Sequence, residues 1–170
     1  MTKQKEKTGK VKKIVVNVGV GRMSQQAGFN DKILPEVIKE LSEITGQKPV
    51  ICQAKKSIAG FKTRAGQTVG LKTTLRRRRM EDFLKRLINM VFPRLRDFRG
   101  ISLQNVDQNG NLNIGFKEQY VFSEISQDNS KIDFGMEISI VSDVKDREKA
   151  IEFFRSLGIP LKRSEASSQN

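Results

Sequence analysis

The chain has 170 residues, with 32 Lys or Arg against 19 Asp or Glu, no histidine and a net charge of +13. That length fits one domain with a real core, and no run approaches the ~18 apolar residues that span a bilayer, so a soluble, cytosolic protein without a membrane partner is expected. A lone Cys52 excludes an internal disulfide, and the absence of histidine excludes both a Cys/His zinc site and a Ser-His or Cys-His catalytic pair.

Residues 1–10 have no periodicity and one bulky apolar residue, Met1, which reads as a basic flexible arm able to order on a phosphate backbone. The Lys-rich start leads into an alternating segment, not the apolar stretch of a signal peptide. Over 11–20 the residues alternate, Ile14, Val16, Val18 and Val20 against Lys13, Val15 and Asn17, the period of a strand with one buried face. After Gly19 and Gly21, a helix starts near Asn30 or Asp31, either of which suits its cap. Its stripe of Ile33, Leu34, Val37, Ile38, Leu41 and Ile44 is core, and Gly46 stops it.

A second strand is expected over 49–54, with Val50, Cys52 and Ala54 sharing a face and Cys52 a small core residue. The third, 69–76, sets Leu71, Thr73 and Leu75 against Lys72, Thr74 and Arg76. Between them, 55–68 is longer than joining two strands requires, and it carries Gly60, Gly66, Phe61 and the cations Lys55, Lys56, Lys62 and Arg64. That is the composition of a nucleic-acid finger.

A second helix over 77–91 buries Met80, Phe83, Leu84, Leu87, Ile88 and Val91, and Pro93 is expected to end it. A basic turn with Arg94, Arg96 and Arg99 follows. Strands at 101–106 and 112–116 flank Asn109-Gly110 as a hairpin, 119–122 extends the sheet, and 123–133 is an exposed loop. Phe134, Met136, Ile138 and Ile140 alternate as a last strand. A final helix, 146–157, buries Ala150, Ile151, Phe153, Phe154 and Leu157 before Gly158 and Pro160, and 161–170 is a flexible tail.

No repeat or linker divides the chain. Residues 11–160 are thus expected to form a single α+β domain, a mostly antiparallel sheet with helices packed on one face. The charge is concentrated: 55–99 holds 14 Lys or Arg against 3 acids, and 1–13 holds 6 Lys against 1 Glu, which leaves the remainder net negative. Such a field attracts a polyanion to one side of the molecule. Helices over the Val16, Val18, Leu71 and Leu75 face leave Lys13, Asn17, Lys72, Thr74 and Arg76 on an open, cationic, hydrogen-bonding face, with Arg77, Arg78 and Arg79 placed to meet phosphates. That face lacks the paired exposed aromatics that stack single-stranded bases, so a reader of folded RNA shape and backbone is expected. An RNA-acting enzyme would need a clustered acid pair or metal ligands, and no cofactor is implied. A nonspecific DNA or membrane binder is separable by its specificity ratio at a stated salt concentration.

Ile14-Val15-Val16-Asn17-Val18-Gly19-Val20-Gly21, Thr45-Gly46-Gln47-Lys48-Pro49, Ser57-Ile58-Ala59-Gly60-Phe61-Lys62, Leu75-Arg76 with Met80, and Pro93-Arg94-Leu95-Arg96-Asp97-Phe98-Arg99-Gly100 stand in this order along the chain. Together they resemble the bacterial large-subunit ribosomal protein L-five family over about residues 12–158. The resemblance implies a structural protein of the cytoplasmic ribosome that binds 5S rRNA and large-subunit rRNA and helps form the central protuberance. It implies 5S rRNA contacts at Asn17, Gln47 and Thr74, joined by Lys13, Lys72 and Arg76 on the same face. Arg77, Arg78, Arg79, Arg94, Arg96 and Arg99 are expected from their charge to make other rRNA phosphate contacts, and the resemblance implies a finger facing the P-site tRNA through Lys55, Lys56, Phe61, Lys62 and Arg64. Small-subunit protein S-thirteen is the implied partner of 106–133 across the subunit interface, and no homo-oligomer is expected. The chain departs from the family pattern in having a Lys-rich arm where members usually carry an amphipathic helix, and in Ser123 where Pro is common.

Overall fold

In a computed structural model describing residues 9–128 and 130–163, the strongest alternation in the sequence forms the centre of the fold. Strand β1 (Val11–Gly19) buries Val11, Ile14, Val16 and Val18 and pairs antiparallel on both sides. Its neighbours are β3 (Thr68–Leu75) and β5 (Met136–Ser142), with β2 (Val50–Gln53) and β4 (Leu112–Phe116) at the edges, so the order is β2-β3-β1-β5-β4 with every pairing antiparallel. Helices α1 (Leu34–Thr45), α2 (Arg77–Arg86) and α4 (Arg147–Ser156) cover one face. Phe83, Phe122 and Phe154 are fully buried between the layers, each contributing about 1.5–3 kcal/mol by leaving water. The single α+β fold expected from the pattern is the one observed. Residues 1–8 of the expected arm (1–10) and 164–170 of the expected tail (161–170) lie outside the described residues. Leu161 and Lys162, assigned to that tail, pair with Ile101 (Lys162 N–H to Ile101 O, 2.8 Å), and Lys10 exchanges bonds with Asp143.

Several elements depart from expectation, each for a local reason. Neither Asn30 nor Asp31 caps α1: the chain enters through Gly28 in the left-handed region (φ 75°) and a wide turn, Phe29–Ile33, anchored by buried Phe29. Gly46 (φ 68°) closes the helix as expected. Pro93 does not end the second helix. A five-residue turn at Leu87–Val91 carries α2 into a last turn, α3 (Phe92–Arg94), and the widened ladder absorbs the proline's missing N–H and the clash of its ring.

Strand β2 is an edge, with Val50 63% and Ile51 42% exposed, so Cys52 is half-buried on the open face and not in the core. The hairpin over 101–116 reduces to the single bridge Val106↔Leu112. Residues Leu103–Asn105 form a 3-10 turn, and the Asp107 carboxylate accepts from the Asn109 and Asn111 amides at 2.9 and 2.8 Å. Residues Gln119–Val121 are likewise a 3-10 turn and not a strand extension. There the fully buried Gln119 amide donates to Glu40 Oε2 (3.1 Å) and Ile132 O (2.6 Å) and accepts from Phe134 N–H (3.1 Å), tying α1 to the approach of β5. Its side chain supplies the partners that a strand would have found in a ladder.

Candidate nucleic-acid interface

With helices on one face, the alternation of β1 and β3 sends Lys13, Val15, Asn17, Lys72 and Thr74 to the other, and all five are exposed or half-exposed. Register fixes their neighbours: Asn17 stands opposite Lys72 on β3 and Glu137 on β5, while Val15 stands opposite Thr74 and Ser139. The face is therefore cationic toward β3 and neutral to acidic toward β5. Ser139 Oγ donates to Asn113 Oδ1 at 2.7 Å there, and Val141 lies across from Lys13. The cationic, hydrogen-bonding character expected of this face is thus concentrated on its β1 and β3 side.

Gln47 lies in the turn that Gly46 opens after α1, and it is pinned to the same surface. Its Nε2 donates to Thr74 O at 3.3 Å, its Oε1 accepts from Arg79 Nη1 at 3.2 Å, and its backbone carbonyl accepts from Thr45 Oγ1 at 2.9 Å. Gln47, Thr74 and Arg79 thus form one cluster where β3 gives way to α2, with Asn17 further along the same face.

At that junction Arg76 stays extended (φ −141°, ψ 161°) and Arg77 turns left-handed at φ 54°, a conformation that costs a non-glycine residue about 1–2 kcal/mol. Both side chains are exposed. They line a groove of about 1030 Å³ with Lys10, Lys12, Arg78 and Lys85, interrupted by Glu81 and Asp82. Arg78 Nε sits 3.8 Å from Asp82 Oδ2, a solvent-exposed pair worth little.

Sequence reasoning missed Lys10, Lys12 and Lys85 as members of this groove. Lys85 was legible, since it shares a helical face with Arg78 and Asp82. Lys12 was not, because by alternation it belongs with Ile14, and only an irregularity between Val11 and Lys13 turns it outward. Arg86 is no ligand-facing cation: it bonds Glu124, donates to Ile44 O at 2.9 Å and lies 5.7 Å above the Phe83 ring.

The finger is folded back on itself. Ile58 and Thr63 exchange backbone bonds of 2.8 and 3.1 Å around Ala59–Phe61, with Lys62 left-handed (φ 51°), and Ala54 N–H donates to Gln67 O at 2.9 Å across its base. Lys55, Lys56, Lys62 and Arg64 are exposed around it, Phe61 is 74% exposed and Ile58 is 49% exposed. The tip therefore carries two apolar side chains where the sequence singled out one. Arg94, at the end of α3, and Arg96 and Arg99, in the segment after it, are exposed where Phe92 stacks on Phe98 at 5.5 Å, and they line neither the groove nor the sheet face.

Two family models match the chain, one described as "Ribosomal protein L5" over residues 7–64 and one described as the C-terminus of that same ribosomal family over 68–161. The chain is 49% identical over 153 residues to "Large ribosomal subunit protein uL5" of Syntrophomonas wolfei, an alignment covering 90% of this chain and 84% of that one. It is 47% identical over 154 residues (91% and 82%) to the protein of the same name from Pseudothermotoga lettingae. To "Large ribosomal subunit protein uL5c" of Cyanophora paradoxa it is 46% identical over 155 residues (91% and 83%).

Proposed function

The chain belongs to the ribosomal protein L-five family, and from that premise we propose that it binds 5S rRNA through the β3 side of its open sheet face, helping to form the central protuberance. As a family member it is an rRNA-bound structural component of the large ribosomal subunit in the cytoplasm, and its relatives are ribosomal proteins, not enzymes. The observation that carries the finer reading is the gathering of Asn17, Lys72 and Thr74 on one rigid face, with Gln47 hydrogen-bonded between Thr74 and Arg79. Asn17, Gln47 and Thr74 meet 5S rRNA groups by hydrogen bonds, while Lys13, Lys72, Arg76, Arg77 and Arg79 neutralise phosphates around them. Arg94, Arg96 and Arg99 extend contact to large-subunit rRNA, the finger faces the P-site tRNA, and 106–133 meets S-thirteen of the small subunit. The domain proper spans 11–160, between a basic arm and a tail.

The test is the combined replacement of Asn17, Gln47 and Thr74 by Ala, measured for 5S rRNA affinity at fixed salt. Each lost bond is expected to cost about 1 kcal/mol or more where its RNA partner is left buried and unpaired. Full-strength binding by the triple variant rules the assignment out.

A further inference from the structure

Glu137 is an acid on the face that meets RNA in the reading above. It is exposed and stands opposite Asn17, which in turn faces Lys72, so a carboxylate, an amide and an ammonium share one row across three strands. Lys72 and Glu137 are two strand spacings apart, roughly 10 Å. Neither joins the ion pairs found among the described residues, Arg78–Asp82 and Arg86–Glu124. A carboxylate here repels phosphate, and it becomes favourable against RNA only where donors approach it, a ribose 2′-OH or the N–H edge of a base, and of these only a base edge brings two adjacent donors to its two oxygens.

Beside this row the sheet is hollowed, a space of about 340 Å³ bounded among others by Asn17, Gly19, Cys52, Gly70, Gly135 and Glu137. Gly70 and Gly135 have internal reasons to be glycine, since a Cβ would lie 3.0 Å from Val18 O and from Phe116 O respectively. Gly19 has none of that kind: a Cβ there meets nothing within 4 Å, and its φ is not left-handed. The space above Gly19 is clear although nothing in the protein needs it clear.

We propose that this hollow takes one unpaired guanine of the bound RNA, with the Glu137 carboxylate accepting from the base's N1–H and N2–H and the Asn17 amide donating to O6. Guanine fits because it alone among the four bases presents two adjacent donors to two carboxylate oxygens, with an acceptor beside them. Adenine and cytosine offer one amino group and uracil one imide N–H. Glu137 then sets base specificity while Lys72 serves the adjoining phosphate. The inference rests on the reading that the open face meets 5S rRNA.

Kethoxal reacts with N1 and N2 of unpaired guanines, the atoms that the carboxylate would cover. The full chain is bound to a 5S rRNA transcript and probed with kethoxal, dimethyl sulfate and hydroxyl radical, using wild type, Glu137→Gln and Gly19→Val. Both variants are checked for unchanged thermal midpoint. Wild type is expected to protect one unpaired guanine, and Glu137→Gln to return its reactivity with about ten-fold weaker binding, the scale of a lost bidentate base contact. Gly19→Val, which fills the hollow, is expected to do the same. Inosine at that guanine, lacking the N2 amine, should weaken wild type about as much and Glu137→Gln hardly at all. A hydroxyl-radical footprint without any Glu137-dependent guanine overturns this inference alone, as does Glu137-dependent protection of an adenine or cytosine from dimethyl sulfate. No footprint from wild type overturns the reading of the face and this inference together.

Discussion

The open sheet face and the finger are both rich in cations, yet they are held in different ways. Lys72 and Thr74 lie on β3, bonded to β1 on one side and β2 on the other, and Gln47 clamps the end of that strand. Lys55, Lys56, Lys62 and Arg64 stand on a single excursion closed by backbone bonds between Ile58 and Thr63 near its tip and from Ala54 to Gln67 and Gly66 at its base, braced by Gln25 Nε2 to Phe61 O (3.2 Å) and Gln67 Nε2 to Ser24 Oγ (2.6 Å), and no neighbouring strand flanks its tip as β1 and β2 flank β3. Charge attracts a polyanion to either surface, but the sheet sets the spacing of its donors through ladders on both sides of β3. A long basic side chain loses up to about 2 kcal/mol of rotamer entropy when immobilised, so a surface that holds its backbone and neighbours rigid spends less on recognition. Under the function proposed above, the sheet reads one fixed partner and the finger reaches one that comes and goes.

The sharpest expression of that contrast is amide hydrogen exchange. Amides of β1 at Val16 and Val18 should exchange only through global unfolding, while those in the exposed part of the finger exchange orders of magnitude faster through local opening. Comparable protection in the two regions would erase the distinction. Next in size is the salt dependence of 5S rRNA binding. Replacing Lys72 and Arg76 together by Ala should weaken binding and flatten the plot of log affinity against log salt by roughly 1.4 to 1.8 units, one released counterion set per phosphate. An unchanged slope would mean those cations face solvent in the complex.

The smallest expected effect on 5S affinity comes from the finger. With Lys55, Lys56, Lys62 and Arg64 all replaced by Ser, affinity should change less than about two-fold, because none belongs to the rigid face, whereas P-site tRNA retention on reconstituted ribosomes should fall several-fold. Collapse of 5S affinity with tRNA retention intact would move the finger onto the primary surface.

The period-two and helical stripes made β1, β3, β5 and the three main helices legible, because each buries one regular face against a shared core. What escaped was decided between segments. The pattern Val50, Cys52, Ala54 reads as a half-buried strand, but strand order put β2 at an edge with no helix over it, and nothing local encodes strand order. Gln119 reads as an ordinary strand polar until Glu40, Ile132 and Phe134 are seen to need its amide. Within the candidate site, alternation delivered Lys13, Asn17, Lys72 and Thr74 to one face. The acid beside them was hidden because Glu137 and Asn17 are far apart in the chain and meet only through β1–β5 register.

The edge position of β2 bears on the life of the chain before it reaches a ribosome. Its outer side offers unpaired backbone donors and acceptors beside exposed Val50 and Ile51, the kind of rim onto which a stray strand adds. The strand is only four residues long and is bracketed by Lys48 on one side and Lys55 and Lys56 on the other. A second copy laid along it would bring those ammonium groups together with no intervening acid. The lysines that suit a polyanionic partner therefore also oppose strand addition along this rim by like-charge repulsion, the gatekeeping that flanking charges give an exposed edge.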